Sequence, residues 1–113
     1  MEQLSQRDLV LLSFPFSDLK AIKVRPVIVL SNDDYNSRFR DFIAVPLTSN
    51  LKLRDYTIRL TQKDLEQGRL ITESKVKVDR IFSVSNDLVK MKIGRVKKQA
   101  HVDITKMLLD LIS

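Results

Sequence analysis

Residues 26–31 read Pro-Val-Ile-Val-Leu-Ser, an apolar and β-branched run that predicts a strand buried inside a sheet. Proline at the first position of such a strand would cost it no hydrogen-bond donor. The following residues 32–37 are rich in Asn, Asp and Ser, which predicts a turn. Other short runs with strand character lie at Asp8–Phe14, Phe42–Leu47, Tyr56–Leu60, Leu70–Ile71, Ser74–Val78, Ile81–Val84 and Met91–Val96.

The end of the chain has a different period. Apolar residues at i, i+4, i+7, i+8 and i+11 predict one face of a helix: Ala100, Ile104, Met107, Leu108 and Leu111. A shorter helical segment is predicted after Thr61, ending at Gly68. Many short strands and one terminal helix predict a mainly β protein with α (α+β). We expect a bent antiparallel sheet or barrel, with the helix packed on it.

Length and charge narrow the class of protein. The 113 residues predict one domain, 1–113, and their net charge is +6. All of the excess positive charge lies in residues 51–113, because acidic residues balance the basic ones in 1–50. A basic half indicates a polyanionic partner such as nucleic acid, or a solvated basic face without a ligand. The absence of cysteine, the polar N-terminus and the lack of a long apolar run predict a cytoplasmic protein that binds no membrane.

The sequence lacks the motifs of several enzyme classes. It has no metal-ligand spacing, no phosphate-binding glycine loop and no serine-hydrolase elbow, so we expect no metal and no cofactor. Its single histidine, His101, is predicted to lie on the surface of the terminal helix. A lone histidine cannot supply a two-histidine acid–base pair.

Polar residues at the ends of predicted strands are the remaining candidates for a site. Arg25 directly precedes one apolar strand, Thr48-Ser49-Asn50 directly follows another, and Lys77 and Asp79 flank the end of a third. A stiff sheet positions such groups well for binding or catalysis. Each also has a plain structural interpretation: a surface cation, a turn, and a local ion pair of Asp79 with Arg80.

These residues fall within recognisable motifs. Residues 23–33, Lys-Val-Arg-Pro-Val-Ile-Val-Leu-Ser-Asn-Asp, resemble the RPxLVLSND signature of MazF/PemK toxins. Four further stretches resemble motifs of the same family in the same order: 14–18 (Phe-Pro-Phe-Ser-Asp), 45–50 (Val-Pro-Leu-Thr-Ser-Asn), 76–82 (Val-Lys-Val-Asp-Arg-Ile-Phe) and 92–96 (Lys-Ile-Gly-Arg-Val). The resemblance runs over nearly the whole chain.

The resemblance implies an SH3-like, CcdB-type antiparallel barrel and a homodimer. It also implies a metal-independent endoribonuclease that cleaves single-stranded RNA by 2′-OH attack, inhibits translation and is neutralised by a cognate antitoxin. Arg25 and Thr48 match the family's catalytic pair. The residues expected to contact RNA are Lys23, Ser49, Asn50, Lys77, Asp79 and Arg80. Four aromatic residues could stack on bases or pack in the core: Phe14, Phe16, Tyr35 and Phe39.

The chain departs from the family pattern at three places, one of which is that residues 14–24 contain no histidine, which some members carry near the first loop. Arg7 stands where many members have glycine, so the start of the first strand is expected to differ, and Lys77 stands where arginine is common. Two other functions stay open. One is a CcdB-like gyrase-binding toxin, disfavoured because residues 107–113 contain no aromatic residue. The other is a non-catalytic nucleic-acid-binding module, disfavoured by the intact Arg25 and Thr48.

Overall fold

The computed structural model describes residues 3–15 and 22–113. These residues form eight strands: β1 (Asp8–Pro15), β2 (Ile22–Val29), β3 (Asp41–Thr48), β4 (Thr57–Leu60), β5 (Leu65–Gly68), β6 (Ser74–Lys77), β7 (Phe82–Ser85) and β8 (Val89–Val96). The helices are α1 (Asp33–Arg38) and α2 (Lys98–Ile112). Short 3₁₀ turns cover Gln62–Asp64, Val78–Arg80 and Asn86–Leu88. Neither helix is long and apolar enough to cross a membrane, as judged over the described ranges.

The strands form one antiparallel sheet in the order β4-β6-β3-β2-β1-β8-β5. Strand β7 pairs with the first half of β3 and β6 with its last two residues, so both lie on the same edge of β3. The 3₁₀ turn Val78–Arg80 joins β6 to β7. The sheet as a whole curls into a half-barrel. A mainly β fold with a C-terminal helix is therefore confirmed.

The central strands are buried on both faces. One hydrophobic cluster contains Leu9, Ile28 and Val45 together with Ala100 and Ile104 of α2. The other cluster takes alternate residues of the same strands, including Val10, Val27 and Val29. Burial on both faces explains why these strands read as continuous apolar runs rather than as alternating ones.

The predicted start of β2 was wrong, because the strand begins at Ile22 and Pro26 lies in its interior. The carbonyl of Val29 accepts from the N–H of Arg7, so the hydrogen-bonding groups of Val29 point towards β1. The N–H of Leu30 donates to the carbonyl of Ile43, so those of Leu30 point towards β3. By alternation the nitrogen of Pro26 faces β3, and pairing with β3 ends at Val27. No sheet hydrogen bond is lost at Pro26. Pro46 is accommodated similarly, since its nitrogen faces the gap on β3 between β7 and β6.

Three other local predictions were wrong. The predicted turn at 32–37 is the helix α1, and Asn32 caps it by accepting from the backbone N–H of Tyr35 at 2.8 Å. Leu70–Ile71 is not a strand. The predicted helical segment after Thr61 is confirmed only as the 3₁₀ turn Gln62–Asp64, where the Thr61 N–H donates to Asp64 Oδ2 at 2.8 Å. Its predicted end was wrong, because Gly68 ends strand β5, has a φ of +82° and pairs with Gly94. A Cβ at Gly68 would lie 2.1 Å from the carbonyl oxygen of Ile93, so this close approach requires glycine.

A buried carboxylate joins the first strand to the last one. Asp8 is fully buried, and its Oδ1 lies 3.1 Å from Lys92 Nζ and 3.2 Å from Arg95 Nε. Its Oδ2 accepts from the backbone N–H of Ser5 at 2.8 Å. Strand β1 begins at Asp8, where the apolar run predicted it, so Arg7 in place of glycine does not move this boundary. Arg7 itself adopts a left-handed φ of +79°, which glycine takes easily.

We predict that Asp8→Ala lowers the free energy of unfolding by about 3 kcal/mol, because it leaves two partly buried cations without their carboxylate. Urea unfolding would measure the loss. Asp34→Ala is the control: it removes an exposed ion pair with Arg38 and should cost less than about 1 kcal/mol. Equal losses in the two variants would contradict the structural role of Asp8.

His101 gives a second test of the fold. It lies on α2 but is half-buried rather than on the surface, and among the described residues its buried Nδ1 has no hydrogen-bond partner. Burial, and then the nearby Arg7, lower the pKa of His101 below 6.5. The unfolded chain therefore takes up a proton more readily than the folded one, and stability falls as the pH drops through about 6.5.

We predict that the free energy of unfolding depends less on pH in His101→Gln than in the wild type, because glutamine does not titrate. The urea midpoint of the wild type should fall more than that of the variant between about pH 7.5 and 5.5. Parallel curves for the two proteins would show that His101 does not couple folding to protonation.

Candidate functional site

The pairing of β2 with β3 places Arg25 and Thr48 at the same end of two neighbouring strands. Val27 of β2 pairs with Pro46 of β3. Arg25 lies two residues before Val27, and Thr48 lies two residues after Pro46. Side chains two residues apart share a face of a strand, so Arg25 and Thr48 continue the same face beyond the end of the ladder.

The two side chains line one cavity of about 260 Å³, here called the strand-end cavity. Its lining comes from the start of β2, the end of β3, the segment 70–74 and strand β8: Lys23, Val24, Arg25, Pro26, Leu47, Thr48, Ser49, Leu70, Ile71, Thr72, Ser74 and Ile93. Arg25 is exposed, and no carboxylate within residues 3–15 and 22–113 pairs with it. Its guanidinium can therefore bind an anion in this cavity.

Thr48 also borders a second depression of about 340 Å³, here called the basic groove. Five cations line it: Lys52, Arg54, Lys75, Lys77 and Arg80. Asn50 and Thr57 add polar side chains to the lining. Because Thr48 belongs to both linings, the strand-end cavity and the basic groove adjoin, and together they suit an extended polyanion.

Asp79 is engaged by an arginine that the sequence did not indicate. Both of its oxygens accept from Arg54, Oδ1 at 2.9 Å and Oδ2 at 2.6 Å. The expected local ion pair with Arg80 does not form. The hydrogen bonds from Arg54 hold the pKa of Asp79 below its ordinary value, and Asp79 in turn raises the pKa of Arg54. Asp79 is therefore an ionised carboxylate whose charge is largely neutralised.

The structure brings together most of the residues expected to form the site. Lys23 and Ser49 line the strand-end cavity with the catalytic candidates, whereas Asn50, Lys77 and Arg80 line the basic groove. Asp79 lines neither. Sequence reasoning missed Lys52, Arg54 and Lys75, although the excess of positive charge after residue 50 was a signal of them.

Of the aromatic residues expected to stack on bases, the two whose side chains the structure describes, Tyr35 and Phe39, do not lie at this site. Phe16 and the side chain of Phe14 lie outside the described residues. On α1 the rings of Tyr35 and Phe39 pack against each other with centroids 4.8 Å apart, and neither ring borders the strand-end cavity or the basic groove. Phe39 is 48% exposed, so the alternative prediction that it packs in the core is wrong.

In the described part of the chain, no three His, Cys, Asp or Glu side chains are grouped so that they could hold a metal ion. The expectation of a metal-free site stays a prediction.

Solved structures show the same fold. MazF in a MazE–MazF structure from Deinococcus radiodurans matches with a TM-score of 0.82 at 20% identity, covering 98% of this chain and 97% of that one. A mycobacterial endoribonuclease in complex with its cognate antitoxin matches with a TM-score of 0.77 at 16% identity, covering 96% and 94%. A further mycobacterial endoribonuclease matches with a TM-score of 0.76 at 19% identity, covering 99% and 93%.

Sequence comparison gives the family directly. No curated protein matches the chain by sequence. Residues 5–112 match the family model described as the PemK-like, MazF-like toxin of type II toxin–antitoxin systems. This match spans nearly the whole chain and includes the strands that carry Arg25 and Thr48. The chain therefore belongs to the PemK-like, MazF-like family of type II toxins.

Proposed function

We propose that this toxin is an endoribonuclease that cleaves single-stranded RNA in the strand-end cavity, without a metal ion. The observation that carries the proposal is the meeting of Arg25 and Thr48 in one cavity that opens into the basic groove. Toxins of this family cleave RNA, and two of the structural neighbours are named endoribonucleases.

The RNA itself supplies the nucleophile in this mechanism. The 2′ oxygen gives up its proton to solvent water and attacks the adjacent phosphorus, the bond from phosphorus to O5′ breaks, and O5′ takes up a proton from solvent. The products are a 2′,3′-cyclic phosphate and a 5′-hydroxyl. DNA is not cleaved because it lacks the 2′-OH.

Arg25 and Thr48 act as hydrogen-bond donors to the reacting phosphate. Negative charge builds up on the non-bridging oxygens in the transition state, where the planar guanidinium of Arg25 can donate two hydrogen bonds and the Thr48 hydroxyl one more. Arg25 is unsuited to act as the base because a guanidinium hardly loses its proton in proteins. Asp79 is unsuited as well, since Arg54 occupies both of its oxygens.

The basic groove binds the RNA backbone beside the cleaved bond. Lys77 and Arg80 neutralise phosphates there, while Lys23, Ser49 and Asn50 contact the nucleotides next to Thr48. Unpaired bases splayed over this surface supply the sequence specificity of the cut. The toxin acts on messenger RNA in the cytoplasm as a homodimer, and a cognate antitoxin neutralises it, as the type II system of its family implies.

The first test is cleavage of a long unstructured RNA in EDTA. We predict fragments with 5′-hydroxyl ends from the wild type, and a loss of about 100-fold or more in cleavage rate for Arg25→Ala and for Thr48→Ala, because each removes a transition-state donor. Arg25→Lys should also be strongly impaired, since lysine keeps the charge and loses the bidentate geometry.

Lys63→Ala is the matched control, because Lys63 is exposed and borders neither the strand-end cavity nor the basic groove. All variants must show wild-type unfolding curves. Cleavage that EDTA abolishes would contradict a metal-free reaction. An RNA left intact by folded wild-type protein would favour a non-catalytic binding module or a gyrase-type toxin.

The basic groove makes a separate prediction about salt. Binding of 2′-O-methyl RNA, which cannot be cleaved, should weaken for Lys77→Ala, and the slope of log K against log salt should flatten by about 0.7, because one phosphate contact is lost. Fluorescence anisotropy at several salt concentrations measures both quantities. An unchanged slope would place Lys77 outside the RNA contact.

A further inference from the structure

The segment between β3 and β4, residues 49–56, forms one wall of the basic groove and is exposed along its whole length. It contains Leu53, a residue that is 99% exposed. A segment with so little buried apolar surface is not held by the hydrophobic core. Its position must depend on polar contacts.

Three such contacts tie the segment to the chain around β6. Lys75 Nζ donates to the carbonyl of Lys52 at 3.0 Å, and the backbone N–H of Val78 donates to the carbonyl of Tyr56 at 3.0 Å. The third contact joins two side chains, Arg54 and Asp79, through two parallel hydrogen bonds. Asp79 follows the buried Val78 on its 3₁₀ turn, so this carboxylate is a fixed anchor for the arginine.

The same segment governs the hydroxyl of Thr48. The backbone N–H of Asn50 donates to Thr48 Oγ1 at 3.2 Å, and Asn50 Oδ1 in turn accepts from the N–H of Lys52. Because Asn50 occupies a lone pair of the hydroxyl oxygen, the hydroxyl proton is directed elsewhere and is free to be donated. A displaced segment would remove this restraint.

We propose that Arg54 and Asp79 are a positioning pair, which holds the segment 49–56 in place so that Thr48 presents its hydroxyl to the phosphate. The pair also cancels a negative charge that would otherwise stand beside the basic groove and repel RNA. The proposal rests on the proposed ribonuclease function, and it gives Asp79 a role through Arg54 rather than a direct contact with RNA.

The geometry separates this pair from an ordinary surface ion pair. Arg54 and Asp79 are joined by two hydrogen bonds across 25 residues of sequence, and their side chains are 41% and 24% exposed. The pair of Arg38 with Asp34 has one contact at 3.1 Å within a single helix, and its side chains are 63% and 74% exposed. Such exposed pairs contribute little, so Arg38→Ala serves as the matched control.

The experiment compares Arg54→Ala, Asp79→Ala, the double alanine variant and the charge swap Arg54→Asp/Asp79→Arg. Two quantities are measured: the cleavage rate constant at saturating RNA, and the ¹⁵N relaxation order parameters of residues 49–56 without RNA. We expect both single variants and the double variant to lose about tenfold in rate, because displacement of a catalytic group is costly. We also expect lower order parameters in the segment and substantial recovery of both quantities in the swap.

A purely electrostatic role in RNA binding gives a different result. Arg54→Ala would then weaken RNA binding and Asp79→Ala would tighten it, while the rate at saturation stayed at the wild-type value. That result, or unchanged order parameters in both single variants, would overturn the positioning role. A wild type that cleaves no RNA would instead refute the ribonuclease function, and with it the effect of the pair on rate, while the order parameters would still show whether the pair holds the segment.

Discussion

The candidate site depends on the antiparallel pairing of β2 with β3. Three pairs of residues, Val27 with Pro46, Ile28 with Val45 and Val29 with Ala44, fix the register of two strands that are buried on both faces. A slip of one residue would turn each apolar set towards the wrong cluster, so the core enforces this register. The same register brings Arg25 and Thr48 to one strand-end cavity, although they are far apart in sequence.

Two prolines lie where the pairing of β2 with β3 ends and the site begins. The nitrogen of Pro26 faces β3 just past the last ladder pair, and that of Pro46 faces the gap between β7 and β6. The strand ends can therefore open around the strand-end cavity without leaving a sheet donor unpaired. On the side of β2 opposite to β3, ion pairs of Asp8 with Lys92 and Arg95 join β1 to β8. We infer that stability and activity are coupled through one stiff sheet rather than through separate parts of the molecule.

The sequence predicted the fold class, most strand positions and the terminal helix, because apolar periodicity and β-branched runs are local signals. Their place at strand ends marked Arg25 and Thr48 as candidates for a site, but only the resemblance to a family gave them a catalytic role. The sequence did not predict that Asp79 pairs with Arg54, since a contact across 25 residues leaves no periodic trace. The boundary of β2 was wrong because the tolerance of a proline depends on the neighbouring strand, which no local pattern reveals.

The most direct test of the account is cleavage of an RNA that carries a single 2′-deoxynucleotide on the 5′ side of the mapped cleavage bond. Single-turnover cleavage would be followed in EDTA beside the all-ribose RNA. The account predicts that the modified bond stays intact while the oligonucleotide still competes for binding, because only the nucleophile has been removed. Continued cleavage of that bond would contradict the central claim, since a water molecule or a protein side chain would then be the nucleophile.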